Sequence, residues 1–170
     1  LSLVINNAKY PVIDEKNKAP FSQLLLKDML RDKMQFVGLA ISDGMWKDSF
    51  AQMNTDQLLP MYVLSILSGM DVLTIPGSKF APAVQYFRRL YDSKLTDVEN
   101  YQLEVTVNKP VDEIRQNLRL RINEILDRLQ PVQKAVGHSL PDHTEPKKQT
   151  AEINERYQKI LQDNYFVEKN

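Results

Sequence analysis

The chain contains no cysteine. That excludes disulfides, thiolate metal sites and a cysteine nucleophile, and it leaves the compartment open, because proteins on either side of a membrane can lack thiols. There is no excess of charge of either sign. Twenty-two Lys and Arg balance 22 Asp and Glu over 170 residues, so nothing in the charge points to nucleic acid or an anionic membrane surface as a partner. No apolar run approaches the roughly 20 residues needed to cross a bilayer, and there is no glycine-rich phosphate loop. His138 and His143 are the sole histidines. Their spacing and proline-rich setting do not suit a metal site, and they read as part of a solvated linker. No metal or cofactor is implied. What remains is 42% hydrophobic and 26% charged, the make-up of a globular chain long enough to bury a core. It opens at Leu1 directly on a strand-like run, so a fragment or processed piece is expected.

Strand and helix signals alternate. Leu3, Val4 and Ile5 form a short buried-strand candidate ending at Asn6 and Asn7, and a polar loop follows. Ser22 is placed to cap a helix to about residue 34, with Leu24, Leu25, Met29 and Leu30 on one face. Gly38 turns the chain into a second strand, Leu39 to Ser42, which stops at Asp43. A helix is predicted over about 55–68, with Asp56 in its first turn, Pro60 either starting or kinking it, and Gly69 closing it. A third strand is predicted over 71–75 and a helix over 81–91, with Val84, Phe87, Leu90 and Tyr91 as its apolar face. Three strand–helix units of this kind imply parallel strands with crossover helices. Beyond them, a long helix over about 111–129 carries Ile114, Leu118, Ile122, Ile125 and Leu129 on one stripe, most simply core packing, with Pro131 marking its end. Residues 137–149 read as a linker, and residues 150–170 carry a last amphipathic helix.

Several short motifs carry a family resemblance. They are the turn Asn7-Ala8-Lys9-Tyr10-Pro11-Val12-Ile13-Asp14, the helix start Pro20-Phe21-Ser22, the run Met29-Leu30-Arg31, the turn Phe36-Val37-Gly38, the strand end Ser42-Asp43 and the segment Leu67-Ser68-Gly69-Met70-Asp71. Together they resemble the C-terminal part of the catalytic barrel of family-three glycoside hydrolases, nearest the β-N-acetylhexosaminidase branch. The resemblance implies an α/β fold, the C-terminal portion of a (β/α)8 TIM-type barrel, over residues 1–136. It implies Asp43 as catalytic nucleophile and a terminal β-linked N-acetylglucosamine, of peptidoglycan or a related glycan, as substrate. A β-glucosidase of the same family, or a non-catalytic barrel segment used for carbohydrate binding or assembly, are the alternatives. The family pattern is broken at Gln35, Val37, Asn7 and Gly44, and its acid/base segment lies earlier than anything in this chain. The expected partners are therefore a carbohydrate and the N-terminal part of the barrel.

The residues themselves allow that chemistry. A retaining glycosidase needs one carboxylate to attack and a second group to protonate the leaving oxygen. The attacking carboxylate must stay ionised, which calls for nearby donors. Asp43, on a strand end beside a glycine, suits this role; it also suits a plain loop cap. Asn6, Asn7 and Ser78 follow strand ends and would share its face, as sugar ligands or, for the two asparagines, as Asx-turn formers. Trp46 either stacks on a sugar ring or plugs the loop. Asp48 shows no pairing. Asp71 begins a strand and so belongs to the opposite face, where residues serve stability.

Overall fold

The computed structural model describes residues 2–45, 47 and 50–136. Leu1–Pro131 form one unit and Val132–Asn170 a second, in which only the helical backbone to Val136 is described. The linker expected over 137–149, the helix expected over 150–170 and both histidines lie outside the described residues, as do Trp46 and Asp48.

Two short strands form the sheet. β1 (Ser2–Ile5) pairs in parallel with β2 (Leu39–Ser42), Ser2 opposite Leu39 and Ile5 opposite Ser42. The connection runs through a short 3₁₀ turn, Ala19–Phe21, and a helix over Leu24–Lys33. That helix is wound wider than an α-helix, with i→i+5 bonds such as Met34 N–H to Met29 C=O. Such winding is rare over ten residues, and it moves the buried face. Leu26 and Leu30 are the buried residues, Leu25 is half-buried, and Leu24 and Met29 face solvent. The left-handed turn into β2 is made by Gln35, at φ 52°, and not by Gly38.

The third predicted strand is reduced to one parallel bridge, Val72 to Ile41. Side chains explain why. Past Val72 the ladder bond is replaced by the Ser42 hydroxyl, which accepts from Thr74 N–H at 2.9 Å, while the Thr74 hydroxyl donates to Ser42 C=O. The segment still runs alongside β2 in the same direction, so the ends of all three extended segments share one edge.

Four α-helices follow among the described residues. α1 (Thr55–Ser68) begins with a capping box in which Asn54 Oδ1 accepts from Gln57 N–H and Gln57 Oε1 accepts from Asn54 N–H. It carries Pro60 inside and ends at Gly69. α2 (Gly77–Tyr91) buries Ala83, Tyr86 and Leu90. Phe87 is half-buried, while Val84 and Tyr91 are exposed, so its packed face is turned from the expected one by about one position. α3 (Asp97–Val107) has no counterpart in the predicted elements. α4 (Val111–Val136) buries Ile114 and Leu118, half-buries Ile122, Ile125 and Leu129, and runs through Pro131 instead of stopping there. Residues of α1 to α4 build the larger core, around Tyr62, Val63, Tyr86, Leu90, Leu103 and Ile114. A smaller core of Ile5, Leu26, Leu30, Ala40 and Met70 joins the sheet to the wide helix. None of the described helices is long and apolar enough to cross a membrane.

Candidate functional site

Asp43 leaves β2 with its backbone tied to β1. Its N–H donates to Ile5 C=O at 2.8 Å. The next two residues are held as firmly. Gly44 C=O accepts from Asn7 Nδ2 at 3.0 Å, and Met45 N–H donates to Thr74 C=O at 3.0 Å. This leaves the Gly44 N–H for the Asp43 carboxylate, where it meets Oδ1 at 2.6 Å. Lys47 Nζ approaches the same oxygen at 3.3 Å. The side chain of Asp43 is 41% exposed. The Gly44 N–H first, and Lys47 second, hold its pKa below the ordinary carboxylate value, because donors to the charged form favour it. Among the described residues nothing donates to Oδ2.

The arrangement is an ionised, accessible carboxylate at the C-terminal end of the middle of three parallel segments. In α/β proteins with parallel strands this end is where ligands bind. Chemically it offers a fixed anion with one oxygen that no donor among the described residues engages, fit for attack on an electrophilic carbon or for binding a cation. Among the described residues no group of three or more His, Asp and Glu side chains is placed to hold a metal ion.

The other predicted residues fall as follows. Asn6 is exposed; its Oδ1 accepts from Ala8 N–H at 3.0 Å in an Asx turn, and its amide bonds the Tyr10 hydroxyl at 2.9 Å. Asn7 is buried behind the Asp43–Gly44 turn. Ser78 is exposed in the first turn of α2, and Trp46 lies outside the described residues. Lys47 is a site residue that the sequence reading missed. Its signal was the spacing Asp-x-x-x-Lys across the glycine turn. Asp14, quoted above only as part of a motif, is a buried loop carboxylate bonded by Lys16 N–H, Asn17 N–H and Asn17 Nδ2.

At the opposite edge, Asp71 is wholly enclosed. Its two oxygens meet Arg31 at 2.5 Å, Arg121 at 2.7 Å and Arg128 at 2.8 Å, and accept from Ala40 N–H at 2.7 Å. Arg121 also donates to the carbonyls of Ile66, Gly69 and Met70. This network joins the wide helix, β2, the α1 terminus and α4, as expected for the stability face.

No family model matches the sequence, and no curated protein does. Solved structures do match. A glycoside hydrolase family 3 β-N-acetylglucosaminidase from Paenibacillus sp. aligns over 85% of this chain and 24% of its own, at 13% identity and TM-score 0.52. Two others align more loosely. Zinc-bound CbsA from Thermotoga neapolitana shows 22% identity over 74% of this chain and 26% of its own, with TM-score 0.45. The β-N-acetylglucosaminidase from Thermotoga maritima shows 22% identity over 84% of this chain and 32% of its own, with TM-score 0.39. The chain thus spans about a quarter of the length of the first structure it matches. In fold, it is similar to a segment of a family 3 glycoside hydrolase.

Proposed function

We propose that the chain is part of a retaining glycoside hydrolase that removes terminal β-linked N-acetylglucosamine, with Asp43 as the nucleophile. The observation that carries this reading is the Asp43 carboxylate itself: ionised by Gly44 N–H and Lys47, exposed, and sited at the C-terminal end of the parallel segments. Asp43 attacks the anomeric carbon while a second group protonates the leaving oxygen; water then releases the sugar from the aspartyl ester. The second group and the remaining strands come from the rest of the barrel. The outer edge of β1, where Ser2, Leu3 and Val4 are exposed, supports that assembly, since an open parallel edge calls for a further strand. The C-terminal part of the barrel then covers residues 1–136, with 137–149 as linker.

The test is Asp43→Asn in the complete glycosidase that contains this chain, assayed on p-nitrophenyl N-acetyl-β-glucosaminide and, in parallel, on the β-glucoside. Turnover falls by several orders of magnitude with the fold retained, since the transition state loses its nucleophile. A 2-deoxy-2-fluoro glycoside traps the ester on the peptide containing Asp43. Unchanged turnover in the Asn variant would remove Asp43 from the mechanism, and preference for the β-glucoside would reassign the substrate.

A further inference from the structure

Asn7 presents an anomaly. It is only 9% exposed, and its amide makes one hydrogen bond, from Nδ2 to Gly44 C=O, 37 positions along the chain. Its Oδ1 is buried with no partner among the described residues. An unpaired buried acceptor costs about 1–3 kcal/mol, so packing alone favours an apolar residue of the same shape. Among the described residues the amide's one partner is the Gly44 carbonyl.

That grip matters because of what Gly44 does next. The Asp43–Gly44–Met45 turn is held at three points on two peptide groups: Asp43 N–H on Ile5 C=O and, on opposite sides of the single Gly44–Met45 peptide, Gly44 C=O on Asn7 and Met45 N–H on Thr74 C=O. A glycine has more backbone freedom than any other residue, so without the middle point the Gly44–Met45 peptide is held on its N–H side alone and can tilt about Gly44, taking the Gly44 N–H off the Asp43 carboxylate. The first and third points come from main chain and survive any side-chain change. The second depends on Asn7. We infer that Asn7 is a positioning residue for Asp43: by holding Gly44 C=O it keeps the turn in which Gly44 N–H faces the Asp43 carboxylate. In this role it acts through Gly44. The catalytic consequence rests on the glycosidase reading above; the positioning itself does not.

The consequence for charge follows. Gly44 N–H is the foremost cause of the lowered Asp43 pKa, so loosening the turn raises Asp43 back toward the ordinary carboxylate value. The remaining neighbour, Lys47, is half-exposed at 3.3 Å and is screened by solvent.

The experiment is a carbon-detected carboxyl titration of Asp43, with the Gly44 amide proton shift, on the unmodified chain, Asn7→Leu and Asn7→Ala. Leu has the shape of Asn without its N–H. In both variants the Asp43 midpoint rises and the Gly44 amide proton moves upfield, while the amide spectrum keeps the dispersion of a folded protein. A folded variant with midpoint and amide shift unchanged would overturn the inference. In the unmodified chain, the side-chain amide protons of Asn7 exchange slowly with solvent; exchange at the free-amide rate would overturn it without any variant. In the complete glycosidase, Asn7→Leu lowers kcat on the order of 10-fold, leaves KM nearly unmoved and shifts the acid limb of the pH profile upward. If Asp43→Asn leaves turnover intact while the titration behaves as stated, the glycosidase reading falls and the positioning stands. If Asp43→Asn abolishes turnover while Asn7→Leu moves neither midpoint nor acid limb, the positioning falls and the nucleophile stands.

Discussion

The two edges of the sheet each carry an aspartate, and they are built in opposite ways. Asp71 is fully buried and met by three arginines drawn from the wide helix and α4. Asp43 is part-exposed and, among the described residues, is met by one backbone N–H and one half-exposed lysine on a single oxygen. A carboxylate with all its acceptor sites taken has nothing left for a ligand; it holds elements together. One with an oxygen to spare adds little to the fold and is available for chemistry. The same side chain, at the two ends of neighbouring parallel segments, thus does the structural job at one edge and the candidate chemical job at the other.

The sharpest way to break this contrast is to neutralise each aspartate in turn. Asp71→Asn leaves Arg31, Arg121 and Arg128 facing one another without their anion, with the Arg31 and Arg121 side chains only 12% and 5% exposed. Removing one partner from a buried ionic network costs about 3–5 kcal/mol, a large part of the stability of a domain this size. The urea midpoint of Asp71→Asn falls steeply, and that of Asp43→Asn falls far less. Equal shifts in the two variants would erase the distinction between the edges.

A smaller effect sharpens the same point through the backbone. Gly69 closes α1 at φ 126° and gives its carbonyl to Arg121. A Cβ there would stand 2.8 Å from Leu26 Cβ. Gly69→Ala meets both the φ penalty and that clash, and loses on the order of 2 kcal/mol, read as a lowered thermal midpoint without change in the Asp43 titration. If Gly69→Ala left the midpoint alone, the Asp71 edge would be held by charge and not by a fixed backbone.

Much of this was open to inspection in the sequence. Asp71 could be assigned to the stability face because it starts an apolar run, and Asp43 to the other because it ends one. β1 and β2 follow from short apolar runs, though Leu3 and Val4 of β1 prove exposed and Ile5 alone is buried; α1 follows from its end signals, and α2 and α4 from apolar periodicity. α3 did not, because Leu103 is its one buried residue while Val98, Tyr101 and Val105 point outward; periodicity had no stripe to report. Its capping box, Thr96 with Glu99, was the available signal. The wide helix defeated the 3.6-residue template that placed Leu24 and Met29 inside. Gln35 occupies a left-handed turn that a glycine reading assigned to Gly38. At the candidate site, Asp43 was legible from its position on a strand end. The Asn7–Gly44 and Thr74–Met45 bonds were not, because they join residues about 30 or more positions apart.

Asp14 lies between the two cases and gives the smallest effect. It is little exposed itself but sits in a surface loop, unlike Asp71, and the donors that hold it among the described residues are neutral. The Ser22 hydroxyl first, then Asn17 N–H, the Asn17 amide and Lys16 N–H, draw its pKa down from 3.8 to about 2. A group whose folded pKa is depressed adds stability above its unfolded pKa and loses it as pH falls through the folded one. Asp14 therefore supports the fold fully at neutral pH, progressively less below about pH 4, and hardly at all below its folded pKa of about 2. Asp14→Asn keeps the shape but not the charge. Because the loop lies at the surface, the loss at pH 7 is on the order of 1 kcal/mol after allowing for solvent screening. Urea midpoints of the two proteins, compared at neutral pH and near pH 2, separate the possibilities. The gap closes toward the lower pH if hydrogen bonds to the charged form are what stabilise the loop. A gap that stayed constant would mean that Asp14 acts by shape alone, and that a buried carboxylate here needs arginine, as Asp71 has, before its charge counts.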